Sequence, residues 1–150
     1  MKYLALLLIF LISAESKVIE GKVVRVTDGD TVTILTKENK QERIRLDGID
    51  APEINQDYGR KSREYLASMV AGKTVRVEYK SRDRYGRILG VVYTGRKNVN
   101  EEMVKQGLAW QYRYNRDKNY ERLQNEAKRK KLNIWSQKAP VDPFDFRNKR

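Results

Sequence analysis

Five short segments within residues 22–92 alternate apolar with polar residues or run apolar at strand length, and this patterning constrains the fold most. Lys22–Val26 puts Val24 and Val26 on one face, and Thr31–Leu35 alternates Val32 and Ile34 with threonines. Glu42–Ile49 sets Ile44 and Leu46 against Arg43 and Arg45. Thr74–Tyr79 alternates Val75, Val77 and Tyr79 with Arg76 and Glu78, while Ile88–Val92 is a continuous apolar run. A period of two marks a strand with one buried face, and Asp28-Gly29 is a strong turn signal between the first two segments. Helical patterns fill the remainder. Tyr58–Val70 places Tyr65, Leu66, Met69 and Val70 on one side and stops at Gly72. Val99, Met103 and Val104 mark a short helix ending near Gly107, and Tyr120–Lys131 carries Leu123 and Ala127 on one side. After Trp135 the tail is basic, contains proline and reads as extended. Strands interrupted by one helix and followed by two more define an α+β chain, a small closed barrel with attached helices. An oligonucleotide-binding (OB) barrel fits the count and offers a groove for single strands; other α+β folds also have five strands.

At 150 residues the chain holds one domain with a single modest core. Its 32 Lys and Arg against 20 Asp and Glu give +12, a surplus that suits a polyanion. Nucleic acid fits best; an anionic membrane, or plain solvation of surface lysines, would account for the charge as well. The chain has no Cys and no His. Without imidazole, histidine general bases and phosphohistidine intermediates are excluded, and structural zinc of the Cys/His type goes with them. Hydrolytic chemistry must then come from carboxylates, arginines, lysines, tyrosines and a hard, oxygen-ligated cation.

The N-terminus has the form of an export signal over residues 1–16: Lys2, then apolar Tyr3 to Ile12, then the small-residue stretch Ser13-Ala14-Glu15-Ser16. A membrane span needs about 20 apolar residues, so retention as an anchor through residues 3–12 is the alternative rather than the first reading. The expected organisation is a signal over 1–16, a domain over 17–135 and a basic tail over 136–150, exported to the medium or periplasm and free of stable membrane association once cleaved.

Three clusters carry the chemistry. In Asp28-Gly29-Asp30-Thr31, two carboxylates one residue apart face the same way if the strand is extended there, so that one could bind a cation while the other orients a ligand. Asp-Gly is equally at home as a simple hairpin turn. Asp50 and Glu53 flank Ala51-Pro52, and Pro52 keeps the strand exit extended. Such a segment could aim the Asp50 carboxylate and the Ala51 carbonyl at one ion, with Glu53 beyond to take a proton from water; the alternative is an acidic loop. Arg45 and Arg87, in Asp83-Arg84-Tyr85-Gly86-Arg87, are candidates for a phosphate clamp, or are two solvated charges among many. Failing these two, the clamp falls to Arg43, Arg82 or Arg84. Trp110, Tyr112 and Tyr114, interleaved with Arg113 and Arg116, suit base stacking over a charged groove or packing against the barrel.

Together these residues resemble the staphylococcal nuclease family from about Val24 to Trp135. The resemblance rests on Asp28-Gly29-Asp30-Thr31-Val32, on Arg45-Leu46 followed by Asp50-Ala51-Pro52-Glu53, and on Tyr85-Gly86-Arg87. It continues through Val99-Asn100-Glu101, Val104, Gln106-Gly107-Leu108-Ala109 and Leu132-Asn133-Ile134-Trp135. It implies a five-stranded OB barrel with three helices, and Ca²⁺-dependent hydrolysis of DNA and RNA by in-line attack of water, leaving 3′-phosphate ends. By position, Asp30 and Asp50 would ligate Ca²⁺ with the Ala51 backbone carbonyl, and Asp28 would stand behind them. Glu53 would be the base or water-positioning group. Arg45 and Arg87 would stabilise the transition state, and Tyr85 and Tyr112 would contact the nucleotide, with Arg84 a further substrate contact. The expected substrate is single-stranded or locally opened nucleic acid, taken by a monomer. Two departures stand out. The family usually has Thr at the place of Ala51, which bears on calcium affinity, and the loop from Glu53 to Tyr58 is shorter than in the best-known member. Three rivals remain: a catalytically weak nucleic-acid-binding module on the same fold, a metal nuclease built on Asp50 and Glu78-Tyr79-Lys80, and a cationic surface protein.

Overall fold

The computed structural model describes residues 15–149, so the export signal expected at 1–16 lies almost wholly outside the described residues. Eight strands and four α-helices follow in the order β1 (Lys17–Asp28), β2 (Thr31–Leu35), β3 (Gln41–Leu46), β4 (Ile49–Asp50), α1 (Gly59–Val70), β5 (Thr74–Arg82), β6 (Ile88–Thr94), β7 (Lys97–Asn98), α2 (Val99–Lys105), β8 (Trp110–Gln111), α3 (Lys118–Arg129) and α4 (Pro143–Asn148). A 3₁₀ turn over Asn133–Ser136 precedes α4. Strands β3, β2, β1, β5 and β6 are neighbours in that order, and a parallel pairing of β3 with β6 closes them into a five-stranded OB barrel. Closure removes both sheet edges, and the side chains that alternate inward fill the interior. Val23, Val32, Ile34, Ile44, Leu46, Val75, Val77, Ile88 and Val92 supply that filling.

One strand serves two neighbours. The first half of β1 pairs with β5, from Lys17 opposite Tyr79 to Lys22 opposite Thr74, and its second half pairs with β2. The ladder to β2 skips a residue between Val23 and Arg25. An extra residue of this kind bends the strand and reverses which side chains face inward. The expectation that Val24 and Val26 share one face is therefore corrected: Val23 is buried and Val24 is 47% exposed, while Val26 packs against the core. The threonines of β2 were expected opposite the packed face, yet Thr31 and Thr33 are buried as well, so β2 is covered on both sides.

The helices sit outside the barrel. Leu66, Met69 and Val70 of α1 and Val99, Met103 and Val104 of α2 join the barrel core, and Leu123 of α3 packs onto α2. Buried Asn100 ties α2 to the barrel: its Oδ1 accepts the Val92 N–H at 3.0 Å, and its Nδ2 donates to the carbonyls of Asp47 and Gly90 at 2.9 and 3.1 Å. The tail departs from its extended reading. Asp142 accepts the Phe144 N–H at 2.8 Å and Pro143 occupies the first helical turn, an N-terminal signature that starts α4. Among the described residues no helix is long and apolar enough to cross a membrane.

Candidate active site

Three strand ends and one hairpin loop meet at one side of the barrel. The β1–β2 turn projects Asp28 and Asp30; there Asp30 N–H donates to Asp28 Oδ1 at 3.0 Å, and the Asp30 carbonyl accepts the Leu46 N–H at 2.8 Å. Gly29 is required by space: a Cβ on it would meet the Cβ atoms of Ser62 and Ala51 at 2.7 and 2.8 Å. After β3, Gly48 turns the chain at φ +78° into β4, and β8 pairs with β4, placing Asp50 opposite Trp110. Tyr112 follows, its N–H donating to the Gly48 carbonyl at 3.0 Å. The loop between β5 and β6 is pinned by Asp83, whose Oδ1 accepts the N–H groups of Tyr85 and Arg87 while its Oδ2 takes the Arg87 Nε–H at 2.7 Å.

These pieces enclose a cleft of about 830 Å³. Asp28, Asp30, Arg45, Asp50, Glu53, Arg84, Tyr85, Arg87 and Tyr112 all line it, so the side chains given site roles by the resemblance are brought to one place, whereas Trp110, Arg113, Tyr114 and Arg116 of the stacking set do not line it. Among the residues given such roles, Ala51 is the exception. It is buried beneath the wall, with its N–H donating to Asp30 Oδ2 at 2.7 Å. Of the fallback arginines only Arg84 reaches the cleft. Arg82 forms a two-pronged pair with Glu42 at 2.8 and 3.1 Å, and Arg43 donates to the Tyr85 carbonyl at 2.8 Å, so both pin the loop to the barrel. Glu78 pairs with Arg76 and does not line the cleft, which removes the geometry needed by a nuclease built on Glu78 and Lys80.

Arg45 is only 15% exposed and works as a hub. Its Nη1 donates to the carbonyls of Leu46 and Ile49 at 2.7 and 2.9 Å, and its Nη2 lies 3.4 Å from Asp30 Oδ2 and 3.5 Å from Asp50 Oδ1. Even so, negative charge is crowded. Burial, then the neighbouring Asp30 charge, pushes the Asp28 carboxyl up to about 7. Burial also raises Asp50, against the opposing pull of Arg147 and Arg45. Burial works to raise Asp83 too, but the hydrogen bonds from Arg87 and from the backbone prevail and hold it below the usual carboxylate range. Crowded carboxylates without imidazole or thiolate form a hard, all-oxygen donor set of the kind that takes Ca²⁺ or Mg²⁺. Among the described residues no three acidic side chains are gathered closely enough to form a complete ligand cluster. Asp30 and Asp50 would hold such an ion together with backbone or water oxygens, and the residues present fit it on that basis.

The sequence reading missed Arg147. From α4 its Nη1 donates to Asp50 Oδ1 at 3.0 Å and Glu53 Oε1 at 2.8 Å, and its Nη2 donates to Asp50 Oδ2 at 2.9 Å. Phe144 and Asn148 of the same helix also line the cleft. The Asp142-Pro143 pair was the one local signal of that helix.

The closed OB barrel thus gathers buried acids and arginines from its strand ends around one cleft. The family model described as Staphylococcal nuclease homologue matches residues 43–137. An uncharacterized endonuclease of Escherichia coli is 52% identical over 134 residues, 88% of this chain and 87% of that protein. A micrococcal nuclease of Shigella flexneri is 41% identical over 140 residues, 85% and 79% of the two chains, and a thermonuclease of Staphylococcus hyicus is 37% identical over 127 residues, 77% and 75%. The chain belongs to the staphylococcal nuclease family.

Proposed function

We propose that this chain is a secreted, calcium-dependent nuclease that hydrolyses phosphodiester bonds of DNA and RNA and leaves 3′-phosphate ends. The observation that carries the reading is the convergence of Asp30, Asp50, Glu53, Arg45 and Arg87 on one cleft. Asp30 and Asp50 would hold Ca²⁺, with Asp28 supporting Asp30 through the shared turn and the Ala51 carbonyl as a backbone ligand. A bound Ca²⁺ supplies positive charge to the oxygens of the scissile phosphate. Glu53, partly exposed at the rim, takes the proton of the attacking water. Arg45 and Arg87, which line the same cleft, offset charge that grows on the phosphate oxygens in the transition state. Their restraint matters here, because a guanidinium already fixed by Asp83, or by the Leu46 and Ile49 carbonyls, need not be ordered at the moment of reaction. Tyr85, stacked against Arg84 at 4.9 Å and Arg87 at 5.6 Å, and Tyr112, which also lines the cleft, would take the bases of a single-stranded or locally opened substrate.

The test is direct. The purified protein, residues 17–150, is incubated with plasmid and with RNA in Ca²⁺, in Mg²⁺ or in chelator. Cleavage is expected in Ca²⁺, little in Mg²⁺, whose strict octahedron suits a loose site poorly, and none in chelator. Full activity in Mg²⁺ with Ca²⁺ removed would contradict the calcium assignment. The same protein recovered from the medium should begin near Lys17 by mass spectrometry; a full-length, membrane-retained product would contradict export.

A further inference from the structure

The last nine described residues are fastened across the cleft at three separate points. Gln56, in the loop that carries Glu53, donates through Nε2 to the Val141 carbonyl at 2.7 Å. Arg113 pairs with Asp142 at 3.4 Å and Asp145 at 2.9 Å, its guanidinium lies 4.2 Å from the centre of the Phe144 ring, and Tyr114 meets that ring edge-on at 6.3 Å. Arg147 completes the set with a two-pronged pair to Asp50 and a bond to Glu53.

Two of the three fastenings occupy groups that the proposed reaction or its substrate would use, while the Gln56 bond only anchors the segment. A guanidinium on both oxygens of Asp50 puts positive charge where a cation would bind, and Glu53 cannot accept a water proton freely while Arg147 holds it. Phe144 takes the face of Arg113 and Tyr114, the arginine–aromatic set suited to stacking a base. Arg147 and a divalent cation also repel one another, so the two cannot neutralise Asp50 together. An arginine guanidinium stays protonated at any working pH, so the strap keeps its positive charge.

We propose that residues 141–149 form an autoinhibitory strap, in which Arg147 stands in for the cation and Phe144 for a base, and which calcium must displace. The proposal rests on the reading that Asp50 and Glu53 serve a cation-dependent site. A site that is open only part of the time binds with an apparent affinity reduced by the open fraction, so loosening the strap should tighten binding.

Isothermal titration of Ca²⁺ into the full chain, wild type and two variants, tests this. Arg147→Ala should bind on the order of tenfold more tightly, the shift expected when a site open about one-tenth of the time becomes freely open. Asp142→Ala removes the α4 cap and the longer of the two Arg113 pairs, leaving the one to Asp145, and should also tighten binding, by less. The second variant separates the strap from simple electrostatics, because removing a nearby negative charge would by itself weaken cation binding. Amide hydrogen exchange over residues 143–148 in the wild type should rise when Ca²⁺ is added. Unchanged or weaker binding by Arg147→Ala, or weaker binding by Asp142→Ala, overturns the strap while the calcium site stands. Absence of calcium binding in all three proteins overturns both.

Discussion

Arg45 and Arg87 face the same cleft, yet the structure gives them different second jobs, and substitution should expose the difference. Arg45→Gln removes a charged donor from the Leu46 and Ile49 carbonyls, and a counter-charge from Asp30 and Asp50, all in a buried setting. A hydrogen bond from a charged group contributes roughly 1.5–3 kcal/mol net, and breaking a buried ion pair costs about 3–5 kcal/mol. Gln retains one donor and Arg147 still pairs with Asp50, so the expected loss of stability is about 3 kcal/mol. Arg87→Gln breaks one pair, with an Asp83 that keeps two backbone N–H donors, on a side chain 26% exposed. Its expected cost is below about 1 kcal/mol.

Rate should respond in the opposite way, with no distinction between the two. Each arginine is proposed to interact more strongly with the transition state than with bound substrate, so each loss should slow the chemical step by about 10²–10³, by analogy with a lost oxyanion donor. Urea denaturation followed by circular dichroism measures the first quantity, and single-turnover cleavage of an oligonucleotide in Ca²⁺, at a temperature where both variants are folded, measures the second. Binding, which depends on many phosphate contacts, should weaken only modestly for either. If Arg87→Gln cleaves at the wild-type rate, that arginine is a solvated charge and Arg84 becomes the candidate. If Arg45→Gln is as stable as Arg87→Gln, the bonds that tie Arg45 to β3 and β4 contribute little and the hub description is wrong.

Two further outcomes follow from the scaffold. The hydrogen bond from Arg82, which is 43% exposed, holds the buried Glu42 carboxyl near 2, below its ordinary 4.5. A depressed carboxylate stabilises the fold fully above about pH 4.5 and loses that contribution as pH falls through about 2, so the melting advantage of wild type over Glu42→Gln, on the order of 1–2 kcal/mol after discounting for exposed Arg82, should shrink over that window; a pH-independent difference would refute the linkage. Gly59 opens α1 against the Glu53 carbonyl with no room for a Cβ, so Gly59→Ala should cost about 1–3 kcal/mol and displace the loop that carries Glu53. Thermal melts and cleavage assays read both effects, and an unchanged rate would show that the position of Glu53 does not depend on this packing.

The parts of this molecule that could be read in its sequence are those whose meaning is local. Asp28-Gly29-Asp30, Asp50-Ala51-Pro52-Glu53 and Asp83 to Arg87 lie at strand ends, where a few residues fix both the turn and the side chains it presents, and all three arrive in the cleft. The strands were legible because a period of two survives in any environment with one buried face. It failed at Val24, where an extra residue in β1 is decided by how β2 and β5 share that strand and not by the residue itself. Asn100 gave no sign of its role, because its three partners, Val92, Asp47 and Gly90, lie on other elements. Arg147 is the extreme case. The local chemistry of Asp142-Pro143 encodes a helix start, but nothing near Arg147 specifies that it will meet Asp50, 97 residues earlier. That meeting depends on Gln56 and Arg113, each with an ordinary local role, being carried by separate loops to the same rim. Catalytic groups must cluster around one small substrate and so leave compact motifs, whereas a segment that covers them is specified by scattered anchors. In this fold the segment over the cleft, like the Asn100 tie, is therefore legible only in three dimensions.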